Sequence, residues 1–233
     1  DEITAIPISA LKGDNIVDSS PNTPWYDGLS VIEYLESVPV SSTSQSRSFR
    51  MPVQWVNRPN REFRGFTGMI ASGMIEKGQN VRVLPSGRES KIKGIITQDG
   101  DLDLAGAGRS ITLTLDDEID ISRGDIISAS SNPCSLGDQF QSHILWMDDS
   151  SMTPGREYLF KANTQTTSMT LGRLKYKIDV NTLEHTPATV LEMNEIGVCN
   201  ISLARRIAFD PYNDDPVMGG FIIIDRISNN TVG

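Results

Sequence analysis

The sequence predicts an all-β protein: two small antiparallel barrels behind a short α/β segment. Three observations carry that expectation. From Phe49 onward, short apolar runs alternate inward and outward with a period of two. Clusters of Gly, Pro, Asp and Asn separate those runs at the regular spacing of small barrels and sandwiches. No stretch after residue 38 keeps a helical period.

In chain order, residues 1–38 read as α/β. An apolar strand, "TAIPIS", runs to Ser9, followed by a loop of Gly13, Asp14 and Asn15. The stretch "TPWYDGLSVIEYLESV" predicts a helix, with Thr23 as N-cap and Pro24 in the first helical position. Leu29, Ile32 and Leu35, with Trp25 one turn earlier, form its apolar stripe. Residues 39–48, "PVSSTSQSRS", have the serine-rich polarity of a linker.

The first barrel is expected over 49–132. Its strands are "MPVQWV", "FTGMIAS", "NVRVLP", "ESKIKGII", "SITLTL" and "GDIISAS", with Ser86-Gly87 as a hairpin turn. The second is expected over 133–233, from "DQFQSHILWM", "EYLFKANTQ", "TSMTLGRLKYKIDV", "EIGVCNISLARRIAF" and "GFIIIDRIS".

Composition weighs against several functions. The formal net charge is −9, the reverse of the basic excess with which proteins neutralise nucleic-acid phosphates. The longest apolar cluster, "GGFIII", is far short of the roughly 18 residues of a membrane span. The acidic start, "DEITAIP", has no basic stretch of a secretory signal. Cys134 and Cys199 lie far apart without metal-ligand spacing, so two reduced thiols in a cytoplasmic protein are expected.

Candidate sites for chemistry fare no better. Asp99, Asp101 and Asp103 imitate the start of a calcium loop, but Leu104 stands where its glycine belongs. The acidic run Asp116, Asp117, Glu118 and Asp120 reads as a solvated loop. His143 and His185 have no neighbour that would make either catalytic, so no catalytic or metal-ligating residue is assigned. Arg58, Arg61 and Arg64 stand out against the acidic background as a basic loop next to Trp55. Arginine's planar fork suits pairing with carboxylates on another surface, so these four residues are the candidate interface.

The order of a strand delivering Ser9-Ala10-Leu11, a helix, a linker and two barrels resembles the translation-factor GTPases. The stretches "FRMPVQWVNRPNREFRGFTGMIASGMIEKGQNVRVLPSGRES", "DEIDISRGDII" and "GGFIIIDRISNNTVG" narrow that resemblance. They are similar to the GTPase subunit of bacterial heterodimeric ATP sulfurylase (sulfate adenylyltransferase subunit 1), and to the same module fused to an adenylylsulfate kinase. Trp55 and the "NRPNREFRG" link depart from elongation factor Tu and favour the sulfate-activation branch.

The resemblance implies that the parent protein couples GTP hydrolysis to the making of adenylylsulfate from ATP and sulfate. The adenylyl-transfer centre would lie on a smaller catalytic subunit. It implies partners in the chain's own GTPase domain, that small subunit and, in bifunctional forms, a kinase domain. It also implies that Ser9, Ala10 and Leu11 form a loop beneath the guanine base.

The Gly-rich phosphate loop and the Asn-Lys-x-Asp motif of a GTP centre are absent from the sequence, and "GAGRS" (106–110) lacks the phosphate-loop spacing. GTP and magnesium are therefore assigned to the parent, and no cofactor to these residues. The alternative is the barrel pair of an elongation factor that binds aminoacyl-tRNA. In the resembled family one more apolar strand follows "TVG" and closes the second barrel. An open or otherwise covered edge is expected there.

Overall fold

The computed structural model describes residues 3–38 and 44–233. They fall into two compact units divided after Ser42. Residues 39–43 of the expected linker lie outside the described residues.

In the first unit the expected strand at residues 4–9 does not form. Ser9 and Asp14 make only an isolated bridge. No other extended segment in residues 3–38 offers a ladder, and a strand's N–H and C=O groups need one. The segment is organised around the buried side chain of Asn15 instead. Its amide donates to Pro7 O and Thr23 Oγ1 at 2.8 Å each, and its Oδ1 accepts from Ser20 N at 2.7 Å.

The helix is shorter than expected. It is α1 (Val31–Ser37), capped by Ser30 and not by Thr23. Ser30 Oγ accepts from Glu33 N at 3.3 Å and Glu33 Oε2 accepts from Ser30 N at 2.9 Å, the reciprocal capping box. Thr23 is held by Asn15, so Pro24 and Trp25 lie in turns. Only Ile32 and Leu35 of the expected apolar stripe fall on the helix, and the stripe is not packed: Leu29, Ile32 and Leu35 are 46, 40 and 60% exposed.

The second unit carries the β structure. Its first half comprises β1 (Arg50–Pro52), β2 (Trp55–Asn57), β3 (Gly65–Met69), β4 (Met74–Glu76), β5 (Asn80–Leu84), β6 (Arg88–Thr97), β7 (Gly100–Leu102), β8 (Leu104–Gly106), β9 (Ser110–Leu115) and β10 (Ile126–Ala129). The sheet order β1-β10-β5-β6-β9-β3-β2 is antiparallel throughout. It closes because β1 and β2 are two parts of one extended run, pairing β10 with its first part and β3 with its second. At the crossover Pro52 O passes so near Gly68 that a Cβ there would sit 2.3 Å away, and only glycine fits. Phe49, Met51 and Val53 point into a core with Phe66, Ile75, Val81, Ile95 and Leu113.

The second half comprises β11 (Ser135–Leu145), β12 (Glu157–Ala162), β13 (Gln165–Ile178), β14 (His185–Thr186), β15 (Ile196–Phe209) and β16 (Ile222–Ile224), with a short helix α2 (Pro216–Gly219) before β16. The order is β11-β15-β13-β12-β16. Trp146, Tyr158, Met169, Leu171 and Ile201 fill its core.

The edge expected to be open or otherwise covered is covered at one end. Val232 N donates to Ile223 O at 2.8 Å and Val232 O accepts from Met147 N at 2.9 Å, so residues 231–233 stitch β16 to the end of β11. Beside that stitch, residues 140–145 and 221–222 flank a cavity of about 840 Å³ lined by Phe140, Phe160, Ile207 and Phe209.

The turn after β16 has a pH-dependent anchor. Asp225 Oδ1 accepts from Ile227 N and Ser228 N at 2.8 and 2.9 Å, and Arg156 pairs with its other oxygen. The Ser228 and Ile227 N–H groups, with Arg156 nearby, hold this carboxyl below its usual range. The unfolded chain then binds the proton first, so the contribution is present above about pH 4 and is lost as pH falls through the folded-state value. Urea denaturation at successive pH values should show Asp225→Asn less stable than the wild type near neutrality, with the gap closing in acid. A gap that widens in acid would refute this linkage.

Candidate functional site

The two β cores meet along a seam. Ala71, Leu84 and Ile126 from the first half pack on Cys134, Leu136, Ala208 and Met218 from the second. Set into this apolar contact is an ion pair. Arg50 Nε donates to Asp210 Oδ2 at 2.6 Å and Nη2 donates to Oδ1 at 3.1 Å, a bidentate fork. Its Nη1 donates to the carbonyls of Phe49 and Asn132 at 3.0 and 2.8 Å. The two side chains are 4% and 16% exposed.

Burial works against the charge on Arg50, yet the Asp210 carboxylate, together with Cys134 and Asp215, more than offsets it, and the guanidinium pKa is raised. Cys134 Sγ lies 3.7 Å from Asp210 Oδ2. Burial above all, with that carboxylate opposed by Arg50, pushes its thiol up to about 12. A thiol so placed is a poor nucleophile and a packing group. Alongside, the Gln165 amide clamps the backbone of Ala208, donating to its O at 2.8 Å and accepting from its N at 3.0 Å. Sequence reasoning missed Arg50 and Asp210. The available signal was a charged residue alternating with Phe49 and Met51 in a strand otherwise free of charge.

The sequence-predicted residues occupy two separate places. Ser9 opens a tight turn: its carbonyl accepts from Lys12 N and Gly13 N at 3.2 and 2.8 Å, and its N–H donates to Asp14 O at 3.2 Å. Ala10 and Leu11 stand at the exposed tip, Leu11 being 96% exposed, and their N–H groups make no hydrogen bond among the described residues. In the other unit Trp55 lies on β2, 60% exposed. Arg58 and Arg61 sit exposed in the loop between β2 and β3, where Asn60 Oδ1 accepts from Glu62 N and Phe63 N at 2.9 Å each. Arg64 differs: it pairs with Asp120 at 3.0 Å and lies over the Phe66 ring. The basic loop thus keeps two cations, Arg58 and Arg61, that are unpaired among the described residues.

A second hollow, of about 400 Å³, opens between the halves. Pro52, Gln54, Met69 and Arg123 line it from one side, and Lys161, Thr164 and Val217 from the other. No helix is long and apolar enough to cross a membrane, among the described residues.

Residues 139–233 match the family described as GTP-eEF1A C-terminal domain-like. The chain is 50% identical over 232 residues to sulfate adenylyltransferase subunit 1 of Aliarcobacter butzleri, covering 100% of this chain and 50% of that protein. It is 47% identical over 231 residues to the bifunctional enzyme NodQ of Rhizobium meliloti, covering 99% of this chain and 36% of that one. Against the bifunctional enzyme CysN/CysC of Rhodopirellula baltica it is 50% identical over 227 residues, covering 97% and 35%. The chain thus spans half or less of the length of these relatives. Among solved structures, Sup35 complexed with GMPPNP superposes with a TM-score of 0.73 at 22% identity, over 97% of this chain and 56% of that one. The fold is that of the translation-factor barrels.

Removing Arg50 would strand the Asp210 carboxylate at the seam. Arg50→Ala should cost about 3–5 kcal/mol in urea denaturation, the usual penalty for breaking a buried pair. The double change Arg50→Met with Asp210→Leu should cost less than Arg50→Ala alone. Loss of under about 1 kcal/mol in the single variant, the level of an exposed pair, would show that the seam does not need the charge.

Proposed function

We propose, because the chain belongs to the sulfate adenylyltransferase subunit 1 family, that it forms the barrel portion of the GTP-hydrolysing subunit of that enzyme. In this reading the parent couples GTP hydrolysis to the synthesis of adenylylsulfate from ATP and sulfate, and these residues are its non-catalytic scaffold. The observation that carries it is identity of 43–50% to proteins of that name over nearly the whole chain. Translation-factor structures at 22% identity share the fold and do not favour tRNA binding, which the net charge of −9 also disfavours.

The local geometry supports a division of labour. The turn at Ser9, Ala10 and Leu11 presents unengaged N–H groups from Ala10 and Leu11, suited to the edge of a guanine base. Phosphates and magnesium would be held by the GTPase domain, outside these residues. The exposed apolar residues Ile32 and Leu35 on α1, with Leu29 just before its cap, are suited to packing against that domain. Trp55 with Arg58 and Arg61 is the proposed contact for the small catalytic subunit, in the cytoplasm. An aromatic anchor beside arginines is the composition of interface hot spots. In bifunctional relatives a kinase domain would be a further neighbour.

Mixing the chain with the small adenylyltransferase subunit and measuring mass by light scattering after gel filtration tests this reading. A complex should form, and Trp55→Ala with Arg58→Glu should weaken it at least about tenfold, a loss of about 1.4 kcal/mol. Calorimetry should find no micromolar binding of GTP to the chain alone, since phosphates dominate such affinity. Failure to form a complex, or micromolar GTP binding, would overturn the assignment.

A further inference from the structure

We propose that the hollow between the two β halves, beside Arg123 and Lys161, docks an extended acidic segment of a partner protein. This site lies apart from the Arg58 and Arg61 loop and does not rest on the reading above.

The first argument is charge. In a chain of net charge −9, the charged side chains lining this hollow are both cations, Arg123 and Lys161. Lys161 makes no ion pair or side-chain hydrogen bond among the described residues, although it stands on a well-paired strand, opposite Thr166 and Ile222. Arg123 spends one donor on Gln54 O at 2.8 Å, which holds it at the rim with the rest of its fork unpaired. The nearby carboxylates do not neutralise the pair. Asp120 is engaged by Arg64 at 3.0 Å, and Asp125 caps its own turn by accepting from Ser122 N at 2.8 Å.

The second argument is an orphaned polar atom. Thr164 lines the hollow, and its Oγ1 is buried without a hydrogen-bond partner. A buried hydroxyl left unpaired is unfavourable, and an incoming group that pairs with it relieves that cost.

The third argument selects a peptide over a free anion or a nucleic acid. Both cations are exposed, so a lone oxyanion would gain little against salt. The hollow is also partly apolar. Met69 and Val217 are 43% and 47% exposed on its walls. An extended segment alternating carboxylates with apolar side chains would satisfy the cations and cover this shelf together. Two cations are too few for a phosphate backbone.

The probe is a fluorescein-labelled peptide of alternating glutamate and leucine, about ten residues long and so roughly 33 Å extended. Fluorescence anisotropy should show binding that weakens with salt, and the glutamine counterpart should bind at least about tenfold more weakly. Lys161 is exposed and unpaired, so Lys161→Glu should keep the melting temperature while losing about tenfold in affinity, and Lys161→Arg should retain it. Lys93→Glu, an exposed lysine on β6 away from the hollow, should change nothing. In methyl NMR the Met69 signal should move on addition of peptide, while those of Met74 and Met193 stay fixed. The proposal is overturned by equal binding of the glutamine peptide, by Lys161→Glu acting no more strongly than Lys93→Glu, or by shifts at Met74 or Met193 in place of Met69. Absence of binding at about 1 mM would also overturn it. So would inorganic phosphate alone reproducing the Met69 shift, which would make this a free-anion site.

Discussion

The bidentate pair between Arg50 and Asp210 joins the first strand of one barrel to the residue just after β15 in the other. It does so inside a contact of Ala71, Leu84, Ile126, Ala208 and Met218. Apolar packing alone is non-directional and would tolerate sliding between two curved sheets. A planar fork matched to a planar carboxylate does not slide, because a small displacement leaves a desolvated charge unpaired. Arg50 uses its remaining donors on Phe49 O and Asn132 O, so it also fixes where the chain leaves one barrel and enters the next. The hollow that holds Arg123 and Lys161 exists only because the two walls keep this fixed relation.

The β architecture was legible because each strand solves a local problem. Phe49, Met51 and Val53 face inward in alternation, and Tyr158, Phe160 and Ala162 do the same in the other barrel. Such periodicity needs no knowledge of distant partners. The first 38 residues lack that self-sufficiency. "TAIPIS" has strand composition but no ladder, and Thr23-Pro24 has cap composition but is diverted by the buried amide of Asn15. The stronger cap was Ser30 with Glu33 three residues later, a two-sided signal against a one-sided one.

Site residues were harder to read for the same reason. The basic loop is contiguous in sequence, so Arg58, Arg61 and Arg64 could be named together, but sequence could not separate Arg64. Its partner Asp120 is far along the chain. Arg50, Asp210, Arg123 and Lys161 are scattered over more than half the chain and meet only through the fold. Among them only Arg50 had a local signature, as a charge in an otherwise apolar strand.

The charge distribution shows how an acidic chain can still carry selective cationic sites. Of its 21 basic residues, several are already committed: Arg50 to Asp210, Arg64 to Asp120, Arg82 to Glu89, Lys177 to Glu195 and Arg226 to Glu157. Excess carboxylate elsewhere lowers the background attraction for any polyanion, because screened fields sum over the whole surface at short range. What remains attractive is local, where an unpaired cation lies beside apolar surface and an unsatisfied hydroxyl. A partner must then match shape as well as charge, and the acidic surround weighs more heavily against a long polyanion than against a short segment.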